Sequence, residues 1–277
     1  MNMLVVFTDL DGTLLDHETY AWQDAEEALD RCRRLQVPVV LVSSKTRAEM
    51  EALRIELGLF WPLVSENGGG IFFPEACPMA PPTEANPCEG GHVMPLGLPY
   101  ERLVRILRSL REETGWALRG FSDMGLEEIC RRTGLPPEKA RLASRREYDE
   151  PFVWEDGNRI DVPELVQEAE KRGARVTRGG RFFHLFGSCD KGEAVLRLAT
   201  WFQKEYPVLW TAGLGDSLND VPMLRHVDRP ILVRSAQSFG DRIKAVPGLR
   251  VTEERGPAGW NRAVLNLLEE YSNGGMS

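Results

Sequence analysis

Apolar residues appear along the first seventy positions as short unbroken runs, separated by stretches in which they recur at helical spacing. Residues 3–8 are a Val-rich run that stops abruptly at Asp9-Leu10-Asp11-Gly12-Thr13. A continuous run of this length reads as a strand buried on both faces. Trp22, Ala25, Leu29 and Cys32 then fall on one face of a helix. A second run, 37–42, ends at Ser43-Ser44-Lys45-Thr46. Met50, Leu53 and Leu57 mark a second helix that Gly58 terminates. Leu63 and Val64 lead into Glu66-Asn67-Gly68-Gly69, with a short strand at 71–73 after that turn. Strand and helix alternate, which predicts an α/β layer built on a parallel sheet.

The rhythm breaks at 74–99, a stretch dense in Pro, Gly, Cys and Glu that reads as connecting structure leading to a second unit. A helix at 100–113 carries Leu103, Leu107 and Leu110 on one stripe. Beyond it come a strand at 152–155, a helix at 163–172 and short strands at 174–177 and 181–186. This mixture has the character of an inserted α+β unit. The α/β pattern then resumes with a helix at 190–204, an apolar strand at 208–214 ending in Gly215-Asp216, a strand at 230–233 and a closing helix at 259–271. Trp260, Val264, Leu265 and Leu268 form the expected inner face of that helix. The expected division is 1–84 with 187–277 as one domain and 85–186 as the other.

Composition narrows the function. The formal charge of −8, from 34 Lys+Arg against 42 Asp+Glu, lacks the basic footprint of a general nucleic-acid binder. No apolar run is long enough to span a bilayer, and the N-terminus has no basic start, so neither a membrane partner nor a signal peptide is expected. Five cysteines without CxxC spacing predict a reduced, cytoplasmic protein rather than a zinc or disulfide scaffold. A homo-oligomer is compatible with these numbers.

Three apolar strands end in polar clusters: Asp9/Asp11, Ser43/Lys45 and Asp216/Asp220. In an open α/β sheet ligands bind beyond the carboxyl ends of the strands, so all three clusters should meet at one edge. Converging carboxylates repel and raise one another's pKa. A hard divalent cation such as Mg²⁺ is the natural compensation, with part of its shell left for a phosphate. In DxDGTLLD the first Asp is suited to attack phosphorus. The second can protonate a leaving alkoxide and later deprotonate water. Gly12 permits a tight turn whose N–H groups can face phosphate oxygens.

Asp9-Leu10-Asp11-Gly12-Thr13-Leu14-Leu15-Asp16 together with Gly213-Leu214-Gly215-Asp216-Ser217-Leu218-Asn219-Asp220 resembles the haloacid dehalogenase (HAD) superfamily of phosphohydrolases. The likeness runs over nearly the whole chain, with the insertion placed as in Cof-type members with an α+β cap. Narrower features resemble the mannosyl-3-phosphoglycerate phosphatase branch: Ser43 to Glu49, Glu66 to Gly69, Arg146 to Phe152, Gly179 to His184 and Gly256 to Trp260. The resemblance implies a Rossmann-like core with a parallel sheet plus the inserted cap. It implies Asp9 as nucleophile, Asp11 as general acid/base and Lys191 as phosphate-neutralising cation. Mg²⁺ would be held by Asp9, the Asp11 carbonyl and Asp216, with Asn219 and Asp220 nearby. Ser43 or Ser44 would hold a phosphate oxygen, Ser43 being preferred because it directly follows the strand.

The implied substrate is a phosphorylated sugar-glycerate, mannosyl or glucosyl, whose hydrolysis yields a compatible solute. Its carboxylate calls for a cap arginine. Arg178, Gly179, Gly180, Arg181 and His184 form the expected loop, and Asn67 is a further substrate candidate. Plainer readings stand beside these. Gly179-Gly180 is also a hairpin turn, Arg178 and Arg181 surface ion-pair residues, His184 a core histidine and Asn67 a turn cap. A phosphomutase or a noncatalytic sugar-phosphate-binding regulator on the same core are the rival functions.

Overall fold

The structure is a computed structural model that describes residues 2–155, 161–179, 181–235 and 245–274. Its larger sheet has nine strands in the order β13-β12-β11-β1-β2-β3-β4-β6-β5. The parallel part comprises β1 (Asn2–Thr8), β2 (Val39–Val42), β3 (Leu63–Ser65), β11 (Val208–Gly215), β12 (Arg229–Arg234) and β13 (Arg250–Arg255). Helices α1 (Glu26–Leu35), α2 (Arg47–Glu56) and α9 (Gly256–Ser272) lie on one face, where Leu4, Val6, Leu41, Trp260 and Val264 form a buried cluster. On the other face α7 (Lys191–Gln203) and α8 (Val221–Leu224) bury Val5, Phe7 and Val40 against Leu198 and Phe202. Alternate residues of β1 thus serve opposite cores, which is why the strand is apolar throughout. Among the described residues no helix is long and apolar enough to cross a membrane.

The sheet then extends antiparallel through β4 (Gly70–Pro74), β6 (Gly91–Pro95) and β5 (Asn86–Cys88). These last two strands fall in the stretch expected to be connecting structure and, from residue 85 onward, to belong to the second domain. β6 pairs with β4, and β5 with β6, so the chain leaves the large sheet after Pro95.

The second unit is a four-stranded antiparallel sheet, β7-β8-β10-β9, made of β7 (Leu118–Gly120), β8 (Asp149–Trp154), β9 (Arg175–Gly179) and β10 (Phe182–Phe186). Helices α3 (Tyr100–Thr114) and α6 (Val162–Lys171) cover one face around Phe152, Phe183 and Leu185. Helices α4 (Leu126–Thr133) and α5 (Pro137–Ala143) pack through Ile129 and Ala140 against Phe121 and Phe182. The unit therefore has hydrophobic clusters of its own, as an α+β cap requires.

Candidate active site

The sheet brings its polar strand ends to one edge. β1 and β11 run in register from Asn2/Val208 to Thr8/Leu214, and the Asp9 amide donates to the Leu214 carbonyl at 2.9 Å. Asp9 and Asp216 are therefore neighbours despite lying some two hundred positions apart. The Trp260 indole donates to the Thr8 hydroxyl at 2.9 Å, and that hydroxyl donates to the Asp9 carbonyl at 2.8 Å. The closing helix thus fixes the backbone that carries Asp9. Gly12 turns the chain at φ +81°, and a Cβ there would lie 2.5 Å from Asp216 Oδ2. Only glycine lets the Asp9–Asp11 loop lie this close to Asp216.

Lys191 is the first residue of α7 and is 1% exposed. The Asp190 side chain caps the helix, accepting from the amides of Gly192 and Glu193 at 2.8 and 3.0 Å. The Lys191 ammonium donates to Asp9 Oδ1 and Asp220 Oδ1, both at 2.6 Å. Burial alone would lower its pKa; Asp220 and Asp9 reverse this and hold it above the ordinary lysine value. Burial, reinforced by Asp220, pushes Asp9 up to about 8 even though Lys191 opposes the shift. Burial and Asp220 likewise raise Asp216 to about 6. Both shifts arise first from burial and second from the neighbouring carboxylate.

Asp9, Asp216 and Asp220 each offer an oxygen, all within 4.8 Å of one another. This all-oxygen donor set fits a hard divalent cation. The three members are not equivalent. Asp220 Oδ2 accepts from the amides of Asp216 and Ser217, both at 3.0 Å, while Oδ1 holds Lys191. Both of its oxygens thus have protein partners, and they tie it to the lysine and to the turn after β11. Asn219 lies at the rim and donates to Asn67 Oδ1 at 3.2 Å. Asn67 itself sits at φ +55° in the turn between β3 and β4, and its side-chain oxygen faces Asn219.

Asp11 Oδ2 pairs with the Lys45 ammonium at 2.8 Å, and Asp11 Oδ1 is buried without a protein partner. Burial opposes the charge on Lys45, but Asp11 and Glu49 hold its pKa above the ordinary value. This lysine–aspartate pair was missing from the residue roles read from sequence, although the cluster Ser43/Lys45 pointed to it. Ser44 lines the cavity around Asp9, whereas Ser43 is 1% exposed and accepts the Lys45 amide at 3.3 Å. That cavity measures about 400 Å³ and is also lined by His17, Arg234, Arg255 and Gly256.

Among the described residues, the cap residues expected at the substrate, Arg178, Gly179, Arg181 and His184, do not line it. Arg178 lies over the Phe183 ring at 5.6 Å, and Arg181 donates to the carbonyls of Arg132 and Thr133, both at 3.2 Å. Each guanidinium finds an acceptor or aromatic face within its own unit. Gly179 ends β9 beside His184, whose Nδ1 is 2.8 Å from Asp149 Oδ2; Gly180 lies outside the described residues. Arg146 joins the same Asp149 oxygen at 3.3 Å and also donates to the Ser44 carbonyl at 3.1 Å. It connects the cap to the loop after β2.

Residues 6–77 match the family model described as haloacid dehalogenase-like hydrolase. The glucosyl-3-phosphoglycerate/mannosyl-3-phosphoglycerate phosphatase of Persephonella marina is 40% identical, with 98% of this chain and 99% of that protein aligned. The protein of the same name from Methanococcoides burtonii is 38% identical over 97% and 98% of the two chains. A solved Thermoplasma acidophilum structure shares the fold at TM-score 0.67 and 22% identity, covering 97% of this chain and 99% of that one. With the relatives aligned end to end and the carboxylate–lysine cluster intact, the chain belongs to the haloacid dehalogenase-like hydrolases and is a phosphatase of that family.

Proposed function

We propose that the protein hydrolyses a hexosyl-3-phosphoglycerate, mannosyl or glucosyl, to the hexosylglycerate and inorganic phosphate. The substrate named for the two relatives supports this reading. The observation that carries the chemistry is the buried ammonium of Lys191 at 2.6 Å from Asp9. An Asp9 left to burial and to Asp220 would hold its proton, and a protonated carboxyl is a poor nucleophile. The lysine works against that shift without reversing it, and it supplies positive charge beside the phosphoryl oxygens; a cation bound between the carboxylates would favour the ionised form further.

In the first step Asp9 bonds to phosphorus as the P–O bond to glycerate breaks, and Asp11 gives its proton to the departing alkoxide. In the second, Asp11 takes a proton from water, the resulting oxygen attacks phosphorus, and the Asp9 carboxylate is released with phosphate. The Lys45 ammonium orients Asp11 from one oxygen and leaves the other free to exchange the proton. Mg²⁺, held by the carboxylates of Asp9 and Asp216 and the Asp11 carbonyl, would supply further positive charge against the phosphate and between the carboxylates. Ser43 or Ser44 and Asn67 would complete the phosphate cradle. We assign the small-sheet unit as the specificity cap and a reduced cytoplasm as its compartment.

Phosphate release from mannosyl- and glucosyl-3-phosphoglycerate tests the proposal. Turnover should require Mg²⁺, stop with EDTA and vanish in Asp9→Asn. Full activity of that variant, once deamidation and contaminating phosphatase are excluded, would refute the nucleophile.

A further inference from the structure

A second cavity, about 210 Å³, lies where the cap meets α2 and the loop after Asp16. Its walls include Tyr20, Trp22, Lys45, Glu49 and Glu56 from the core, Lys139 from the cap, and four leucines. It shares Lys45 with the reaction centre: the same ammonium that pairs with Asp11 at 2.8 Å stands 5.0 Å from the centre of the Tyr20 ring. Lys139 approaches that ring from the cap, at 5.2 Å.

The polar groups here are held in place with capacity to spare. Glu49 Oε2 accepts from the Thr46 amide at 2.9 Å within the α2 capping box. Glu56 Oε1 accepts from the Trp22 indole at 2.7 Å. Each carboxylate is thus oriented through one oxygen and keeps the other for a ligand. Tyr20 is 40% exposed yet sits at φ +59°, a conformation that costs a bulky residue energy. The Asp16 side chain enforces it, accepting from the amides of Glu18 and Thr19 at 3.1 and 2.8 Å. A loop built to present an aromatic ring to a pocket wall is a feature of binding sites.

Apolar and aromatic walls with oriented carboxylates and ammonium groups recognise one chemical class well: a pyranose ring, with apolar C–H patches and a rim of hydroxyls. We propose that this crevice is the hexosyl subsite, with the phosphate at Asp9 and the sugar beside Tyr20, Glu49, Glu56 and Lys139. The inference rests on the hexosyl-3-phosphoglycerate reading and deepens it. It also gives the cap a role through Lys139 rather than through Arg178 or Arg181.

The test compares kcat/KM for hexosyl-3-phosphoglycerate with that for 3-phosphoglycerate, which has the same phosphate and carboxylate but no sugar. Wild type should favour the hexosyl ester. Tyr20→Ala should lower that ratio at least tenfold, mainly through KM. Tyr20→Phe should retain it, and Lys139→Ala, at an exposed position, should lower it severalfold. An unchanged ratio in both alanine variants, beside a wild type that favours the sugar, would overturn the subsite and leave the reaction standing. A wild type with no preference for the hexosyl ester would overturn the substrate reading and the subsite together.

Discussion

Lys191 shows how one residue can organise a site through the cost of its own burial. An ammonium enclosed in protein is tolerated only beside anions, and here two carboxylates receive it at the same distance. Replacing Lys191 by Met should leave Asp9 and Asp220 facing each other uncompensated. The expected outcome is a hundredfold or greater fall in phosphate release. A loss of about 3–5 kcal/mol in denaturant stability should accompany it, the usual cost of breaking a buried pair from one side. Wild-type turnover in that variant would remove the lysine from the mechanism. Gly12 makes the complementary case by having no side chain. In Gly12→Ala the new Cβ falls 2.5 Å from Asp216 Oδ2, so the carboxylate must move. The Mg²⁺ concentration for half-maximal activity should rise about tenfold or more, as the loss of ~1.4 kcal/mol of metal binding would produce. A Mg²⁺ titration of phosphate release measures it. Gly12 was legible because DxDGTLLD packs its chemistry into consecutive positions, whereas Lys191 stands outside such a motif and its role came from the family resemblance alone. Lys45 was harder to read: it follows β2 while its partner Asp11 lies in the loop after β1, and the pairing of those two strands brings the loops together.

Among the elements, those that bury a continuous apolar run were readable and those at the sheet edges were not. β1, β2 and the second half of β11, from Thr211 on, are buried on both faces, as their unbroken apolar runs predict. The strand β13, Arg-Val-Thr-Glu-Glu-Arg, is largely exposed and carries no apolar run, so nothing in its pattern separates it from a loop. The same holds for β5, whose Asn-Pro-Cys is held only by pairing with β6. α4 and α5 are short helices split by Gly134-Leu135-Pro136, and their stabilisation comes from packing on Phe121 and Phe182. The closing helix was legible, with one change: Leu267 joins Trp260, Val264 and Leu268 in the core while Leu265 is only partly buried. Its link to the site is testable. Trp260→Phe keeps a buried ring but removes the donor to Thr8, a fully buried hydroxyl. Urea unfolding should show a loss of about 1–3 kcal/mol, and an unchanged midpoint would reduce that hydrogen bond to an accident of packing.

At the scale of the molecule the question is what couples cap to core, and the contacts converge on the loop after β2. Thr46 donates to the Leu142 carbonyl at 2.9 Å, Arg47 pairs with Glu147 at 2.9 Å, and Arg146 reaches the Ser44 carbonyl. A further buried link is Glu66, 1% exposed, in the left-handed turn between β3 and β4. Its carboxylate accepts from the cap amides of Glu147 and Tyr148 at 2.9 and 2.8 Å. Burial raises its pKa to about 7; Asp149 adds to the shift, while Arg146 and the two amides oppose it. The native protein therefore keeps a proton that the unfolded chain releases near 4.5. By linkage this group's contribution to stability is greatest below that value and falls as pH rises toward 7, with no further change above it. Glu66→Gln removes the titration and leaves one of the two amides without its acceptor. The variant should be less stable than wild type at pH 5, by about 1–3 kcal/mol. Its stability should then change less between pH 5 and 7.5, so that the gap narrows by on the order of 2 kcal/mol as pH rises. Urea titrations of both proteins across that window supply the comparison. Parallel pH slopes would mean that Glu66 is ionised in the folded state throughout, bound to the cap as a permanent anion paired with Arg146.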